Sequence, residues 1–542
     1  MKNYLYKLFD KASAELEYLK NVEIVFSVPK QESHGDYSTN AAMLLTKQLK
    51  KNPRNIAEEI IENLDDELNY LEKMEIAGPG FINFFFKPSF YVNIIKSILN
   101  AGENFGKSKK YDGKRANVEF VSANPTGPLT IGHGRNAVLG DTVANLLEWI
   151  GYTVDREYYF NNAGRQMRVL GDSVKKRYLE LLGDKIDFPD DYYQGEYIKD
   201  IAASLQKEHD QNLREEDCEG VFKDAAEKLI FKDIDATLDK LGIQMKVYFN
   251  ERTLYEDGKI EDILNLFRKK NLSYEHDGAV WLKLSEMGQE QDKVIIKSTG
   301  EPTYRLPDIA YHTDKFNRGY DLIIDIFGSD HNATYPDVLA GCKALGYDVD
   351  KVKVLIHQFV TIMEKGEIVK MSTRKANFIT IDDLIDEVGV DVVRYFFIMR
   401  NMNTHLNFDI DLARKQSDEN PVFYLQYAHA RISSILRSAE DQKLSSSLDN
   451  LNLLDHTSEF SLLKKMHQFE DELYYSAENF EPHKLANYLE ELAAHFHKFY
   501  TDCRIIGSEK NLAEARIALI KSVQQVIRNG LVILGVGAPD KM

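Results

Sequence analysis

Only three cysteines occur in 542 residues, Cys218, Cys342 and Cys503, far apart and without a CxxC pair. This excludes a disulfide framework and a local zinc knuckle, and it fits a reducing cytosol. No apolar run approaches the roughly 18 residues of a membrane span. The N-terminus interleaves Lys2, Lys7, Asp10 and Lys11 with apolar residues, so neither a targeting peptide nor a membrane segment is expected. Excess positive charge is missing too, the formal net charge being -18. A chain coated in Lys and Arg for indiscriminate nucleic-acid binding is excluded, because such binding comes from cations that release phosphate counterions. A local basic groove remains open, and an acidic remainder would shed non-specific RNA around it.

What is present is ample material for burial. Hydrophobic residues make up 43% and aromatics 11%, with an ordinary 28% charged, so disorder is not the expectation. At roughly 100 to 200 residues per domain the length implies three or four domains. In the first segment Tyr4, Leu5, Leu8, Ala12, Leu16 and Leu19 follow helical spacing, and Val22 to Val28 reads as a strand. A second strand is expected over Phe81 to Phe86 after the turn Gly78-Pro79-Gly80, and polar Gly102 to Arg115 reads as a linker. A small α+β domain over 1–105 follows.

From Ala116 the pattern becomes βαβ. Val118 to Val121 is strand-like, Val138, Leu139, Val143, Leu146, Leu147 and Ile150 form one helical stripe ended by Gly151, and Thr153 to Phe160 is a strand again. Charged helical stretches, Gly164 to Leu182 and Val221 to Leu241, interrupt, so a helical insertion of about 164–275 is expected within a domain over 114–385. The alternation resumes with Leu322 to Phe327, a helix over Tyr335 to Leu345, and a strand over Val352 to Val360. After Ile379 the chain reads almost wholly helical, with a helix start at Asn420-Pro421, giving an all-α domain over 386–542. The expected fold is therefore a Rossmann-like parallel-sheet α/β domain with an insertion, an N-terminal α+β domain and a C-terminal helical bundle.

Gly132-His133-Gly134-Arg135-Asn136-Ala137 formally matches GxGxxA, with Asp155 about 20 residues on, so a dinucleotide-binding turn is one reading. In that motif the glycines follow the strand directly, whereas here Ser122 to Thr130, with Pro125 and Pro128, intervenes. The other reading lets a nucleotide approach the bare backbone of Gly132 and puts His133 at a helix N-terminus, where it can donate to oxygens that gain charge. A structural hydrogen bond is the bland alternative for such a histidine. Lys370-Met371-Ser372-Thr373-Arg374-Lys375, after a strand and a hairpin-like turn at Glu364-Lys365-Gly366-Glu367, is a cationic loop able to close over a triphosphate, or simply a solvated one. Gly328-Ser329-Asp330-His331 ends a strand at the edge where α/β sheets bind ligands. Tyr424, Tyr427 and Arg431 fall at i, i+3 and i+7, a face for stacking bases and holding phosphate, or for packing.

Thr130-Ile131-Gly132-His133 and Lys370-Met371-Ser372-Thr373 resemble the two signatures of class I aminoacyl-tRNA synthetases. Ser122-Ala123-Asn124-Pro125-Thr126-Gly127-Pro128-Leu129 before the first is similar to arginyl-tRNA synthetases in particular. So are Asp277 to Leu282, Glu301 to Tyr304, Pro307 to His312, Asn420 to Arg431 and Gly537 to Met542, which spreads the resemblance over essentially the whole chain. It implies ATP-dependent activation of arginine, transfer to the 3′-terminal adenosine of tRNA, ATP bound with Mg²⁺, no tightly bound cofactor, and a cytoplasmic monomer. By resemblance Glu119, Ser122, Asn124, Tyr304, Asp308 and His331 line the arginine pocket. Thr130, Gly132, His133, Gly328, Asp330, Lys370, Met371 and Ser372 hold ATP, with His133, Lys370, Ser372 and Lys375 catalytic. The N-terminal domain contacts tRNA, and Tyr424, Tyr427 and Arg431 belong to an anticodon-binding domain.

Independently of the resemblance, a planar guanidinium needs carboxylates, and Glu119 at a strand end and Asp308 after a proline and before a helix are suitably placed. The bland alternatives are an edge-strand charge and a helix cap. Two departures from the family stand out: Thr130 replaces a usual histidine, and Thr373 a usual lysine, with Arg374 and Lys375 beside it. A synthetase-like RNA-binding protein without catalysis is the reading those departures would favour.

Overall fold

The computed structural model describes residues 1–29, 31–329, 334–369 and 379–542. Helix α1 (Lys2–Ala12) buries Leu5, Leu8, Phe9 and Ala12 at the expected spacing. Strands β1 (Tyr37–Thr39), β2 (Leu71–Ala77) and β3 (Phe81–Phe86) form an antiparallel sheet in the order β1-β3-β2. Helices α2 (Ala41–Leu49), α3 (Pro53–Glu62) and α4 (Pro88–Ala101) complete this unit. Val22 to Val28 is not the strand its alternation suggests. Only Ser27 bridges, to Ser38, because the segment's apolar side serves to bury Phe26 against Phe9 and Phe84.

The central sheet has five strands, all neighbours parallel, in the order β11-β10-β4-β5-β6. It is built from β4 (Arg115–Glu119), α5 (Ile131–Trp149), β5 (Thr153–Phe160), and then the helices α6 (Gly164–Leu181), α7 (Glu196–His209) and α8 (Lys223–Lys240). Strand β6 (Val247–Asn250) pairs with β5, so the 164–275 stretch expected as helical returns to the main sheet before it ends. Helices α9 (Arg252–Glu256) and α10 (Lys259–Lys269) lead to a small antiparallel sheet of β7 (Ser273–His276), β8 (Ala279–Leu282) and β9 (Lys293–Ile296). Then come α11 (Arg305–Asn317), β10 (Leu322–Gly328), α12 (Tyr335–Leu345) and β11 (Val352–His357).

The single strand expected over Val352 to Val360 is two. The chain leaves the main sheet after His357, where the Gln358 carbonyl accepts from Arg135 (2.6 Å) and the Gln358 N–H donates to Met402 (3.0 Å). It resumes as β12 (Val360–Glu364), which pairs with β13 (Glu367–Ile368) as the foreseen hairpin, Lys365 and Gly366 both at positive φ. Helices α13 (Ile381–Val388) and α14 (Val390–Ile398) follow. A strand unforeseen in this helical stretch, β14 (Leu406–Asp409), then runs parallel to β12, and the short α15 (Ile410–Ala413) follows it. Four residues are too few for the period-2 pattern to stand out beside long helical stripes.

The remainder is the bundle α16 (Pro421–Asp441), α17 (Thr457–His467), α18 (Phe469–Glu478), α19 (Pro482–Asp502) and α20 (Lys510–Leu534). Asn420 caps α16 as expected, its side chain accepting from Val422. By length and composition α20 could cross a membrane, but 72% of its most apolar window is buried inside the protein. The N-terminal unit packs on this bundle: Phe90 stacks on His467 at 5.1 Å, and Lys464 pairs with Asp36 at 2.8 Å.

Candidate active site

Strand β4 ends in a strained turn. Val121 (φ 66) and Ser122 (φ 43) are consecutive non-glycine residues in the left-handed region, and a β-branched residue there costs of order 1–3 kcal/mol. Asn136 holds the turn by accepting from the Val121 N–H (2.6 Å) and donating to the Ile326 carbonyl (2.8 Å). Ser122 Oγ donates to Glu119 (2.9 Å) and accepts from the Tyr159 N–H (3.1 Å). The segment beyond is pinned across the sheet's C-terminal edge. Tyr158 donates to the Ala123 carbonyl (2.7 Å), Asn124 accepts from Asn161 (2.9 Å), and Tyr197 donates to the Thr126 carbonyl (2.8 Å).

Thr130 is the N-cap of α5, and Gly132 and Gly134 lie inside the helix. A dinucleotide fingerprint needs its glycines in the turn before the helix, so that reading fails on placement. A Cβ on Gly134 would come within 2.1 Å of Ile381, and one on Gly140 within 2.2 Å of Phe120, so packing explains both. A Cβ on Gly132 would find nothing nearer than Thr130 Oγ1 at 3.8 Å, so packing does not explain this glycine. The Thr130 N–H donates to His133 Nδ1 at 3.2 Å. An accepting Nδ1 leaves the ring proton on Nε2, the tautomer of a hydrogen-bond donor. The replacement at Thr130 thus has a local purpose, since threonine is a good cap.

The second signature, Lys370 to Lys375, lies outside the described residues, as do Asp330 and His331. Its flanks are described. The β12–β13 hairpin precedes it. Beyond it, Thr380 bridges Thr130, and the Ile381 N–H donates to the Leu129 carbonyl (3.0 Å). The chain leaving the second signature is therefore joined to the first. Arg135, wholly buried, binds this region together with no carboxylate partner among the described residues, donating to the carbonyls of Gln358 (2.6 Å), Thr404 (3.2 Å) and Asn401 (3.4 Å). Burial brings its guanidinium down to about 10.

Glu119 is no edge charge. Its strand is central and the side chain 4% exposed. Behind it Lys315, fully buried, lies 2.5 Å from both Glu119 and Asp325. Burial opposes the Lys315 charge, but Asp325, Glu119 and Glu157 outweigh it and raise its pKa. Asp308 lies within the first turn of α11, not before the helix as expected, and Tyr304 is the cap. No hydrogen bond or ion pair among the described residues reaches the Asp308 carboxylate. Burial pushes it up to about 7, and Glu251, Glu119 and Asp325 add to the effect against His312. Tyr304 is 85% exposed. Gly328 ends β10, paired with His357.

A cavity of about 650 Å³ opens where β5 and β6 end, lined among others by Asn161, Asn162, Arg165, Glu251, Tyr255 and Glu301. That is the edge at which open parallel sheets bind ligands. Glu251, Lys315, His312 and Asp325 are residues the sequence reading left unassigned. Asp308, His312 and Lys315 stand at i, i+4 and i+7, so their common helix face was readable. In the bundle, Tyr424 and Tyr427 flank His497 (ring centroids 4.9 and 6.0 Å), and Arg431 lies over Tyr500 at 5.0 Å. Tyr427 keeps 42% of its surface exposed, a ring available for stacking.

Three family models match the chain: "Arginyl tRNA synthetase N terminal domain" over 3–86, "tRNA synthetases class I (R), catalytic domain" over 94–409, and "DALR anticodon binding domain" over 425–542. The arginine–tRNA ligase of Desulfotalea psychrophila is 52% identical over 520 residues, covering 95% of this chain and 94% of that protein. That of Salinibacter ruber is 49% identical over 539 residues, covering 96% of each. The solved Thermus thermophilus arginyl-tRNA synthetase superimposes with a TM-score of 0.78 over 100% of both chains, at 21% identity, a likeness of fold.

Proposed function

The chain belongs to the arginyl-tRNA synthetase family of class I aminoacyl-tRNA ligases, and from that membership we propose how its residues divide the reaction. The reaction is the ATP-dependent joining of arginine to tRNA. The observation that carries the site assignment is Asp308, a half-buried carboxyl raised to about 7 that no ion pair or hydrogen bond reaches among the described residues. A guanidinium arriving there supplies the missing charge. Glu119, Ser122, Asn124, Tyr304 and His331 complete this pocket in our reading. Arg165 and Arg252 surround the adjoining cavity and suit phosphate.

ATP enters with Mg²⁺ as part of the substrate complex. Its nucleoside lies over Gly132, where the backbone has room, beside Thr130, Gly328, Asp330, Met371 and Ser372. The arginine carboxylate attacks the α-phosphate in line, forming arginyl-adenylate and releasing pyrophosphate. His133 Nε2–H and the ammonium groups of Lys370 and Lys375 face the charge that develops. A hydroxyl of the tRNA's terminal adenosine then attacks the activated carbonyl, with no enzyme nucleophile. The N-terminal unit (1–105) and the aromatic face of Tyr424, Tyr427 and Arg431 in 386–542 take other parts of the tRNA, and 114–385 carries the chemistry. We read the enzyme as a monomer working in the cytoplasm, where its substrates are. Labelled pyrophosphate exchange into ATP with arginine, Mg²⁺ and tRNA tests this. Exchange should need arginine and be stimulated by tRNA; no exchange with any tRNA would reduce the chain to an RNA-binding relative.

A further inference from the structure

Beneath the proposed amino-acid pocket the charges can be counted. His312 Nε2 lies 3.0 Å from Asp325 Oδ2, and Nδ1 lies 2.8 Å from the Asp308 carbonyl. Both ring nitrogens face oxygen acceptors, so both carry protons and the ring is an imidazolium. Arg318 holds Glu157 through two bonds (2.6 and 2.8 Å), and Asp314, which also faces Arg318, is matched by Lys259 at 2.6 Å. The cations Lys315, His312 and Arg318 therefore balance the anions Glu119, Asp325 and Glu157. Asp308 is left over, and beside it Glu251, whose carboxylate accepts from the Tyr159 hydroxyl (2.6 Å) and pairs with no cation among the described residues.

We propose that His312 and Lys315 are specificity-determining positioning residues: they neutralise Glu119 and Asp325 from within, so that Asp308, with Glu251 beside it, demands a cation from the substrate side chain. The proposal rests on reading Asp308 and Glu119 as the guanidinium's partners. Buried charges lacking a counter-ion are expensive, so an unbalanced floor would take up a proton or draw in water and lose its preference for a charged side chain. With the floor balanced, a ligand of arginine's shape but without its charge leaves Asp308 unpaired and is rejected. Each oxygen of Glu119 has one bond from within, from Ser122 or Lys315, and a second lone pair for the substrate.

Three variants of the full chain test this by tRNA-dependent pyrophosphate exchange: Lys315→Met, Lys315→Met with Asp325→Asn, and His312→Gln. Lys315→Met should raise KM for arginine about tenfold or more, with KM for ATP within about twofold, and narrow the margin between arginine and citrulline as a competitor. The double variant removes one charge of each sign and should recover at least about threefold of that KM. His312→Gln keeps a donor toward Asp325 and should raise arginine KM about threefold at an unchanged unfolding midpoint, a reading that stands even if Lys315→Met fails to fold. A parallel rise in both KM values, or a double variant worse than the single, would mean that Lys315 only fills space and would overturn the proposal. Unaltered arginine KM in all variants would overturn it too while leaving the function intact. A wild-type protein without arginine-dependent exchange would instead sink the function itself.

Discussion

The interior beneath the central sheet's C-terminal edge and the interior of the helical bundle are built from different materials. The first holds Glu119, Glu157, Asp325, Lys315 and His312, and above them runs a backbone strained at Val121. In the second, Leu485, Leu489, Leu492, Phe496, Leu519 and Val523 do the packing, with the Arg516–Glu459 pair as a polar exception. Hydrophobic residues would stabilise the first region at least as well as ion pairs. On the proposed reading costly charge is retained where a charged ligand has to be recognised, whereas the bundle interior is mostly apolar apart from such a pair.

That contrast can be broken by a crossed pair of substitutions. Asp308→Ala should lower kcat/KM for arginine by about a hundredfold or more, because the guanidinium loses its uncompensated partner. Leu489→Ala, in the bundle, should cost about 2–5 kcal/mol of stability through the cavity it leaves, with arginine KM unchanged in the folded enzyme. Denaturant titration and pyrophosphate exchange on both variants check this. A shift of arginine KM in Leu489→Ala would show that the two interiors are not separate. The next largest effect belongs to His133→Ala, expected to slow adenylate formation by about a hundredfold in single turnover while tRNA affinity changes by less than about twofold.

The titration of Asp308 sharpens the contrast further. Its folded pKa is about 7, above the ordinary carboxyl value of 3.8. Between these values the native state holds a proton that the unfolded chain has released, so this group's contribution to stability falls as pH rises through the window. Arginine requires the ionised form, so its apparent affinity should fall about tenfold per unit as pH drops below 7 and level off above. Asp308→Asn should abolish that slope and raise the unfolding midpoint at pH 8 more than at pH 5. His467, stacked between the N-terminal unit and the bundle, has the opposite slope. Burial lowers it to about 3, so its contribution is full above its ordinary 6.5 and is lost as pH falls toward 3.

Much of this was readable in the chain. β5 and α12 fall where their periodicity puts them, because buried parallel strands and striped helices are the strongest patterns a sequence carries. The break after His357 was not, since it depends on Arg135 reaching a carbonyl more than 200 residues away. Glu119 and Asp308 could be picked out as carboxylates for a guanidinium, but not that one is already paired and the other is not. That difference comes from Lys315, brought beneath β4 only by the packing of α11. The face shared by Asp308, His312 and Lys315 was legible, whereas the balance of charge across three strands is a property of the assembled sheet.

The smallest effect concerns the residue where this chain departs from its family. Thr130 caps α5, and both its hydroxyl and its backbone N–H, which an alanine would keep, lie 3.2 Å from His133 Nδ1. Thr130→Ala should therefore remove a cap worth about 1 kcal/mol while leaving the His133 tautomer in place. Adenylate formation should then fall by no more than about fivefold, the Boltzmann factor of that cap. A loss comparable to that of His133→Ala would show that the hydroxyl itself faces the nucleotide, in the position the family usually gives to histidine. A loss confined to the unfolding midpoint would assign Thr130 to the architecture of the turn and leave one imidazole, with the lysines of the second signature, to meet the leaving phosphate.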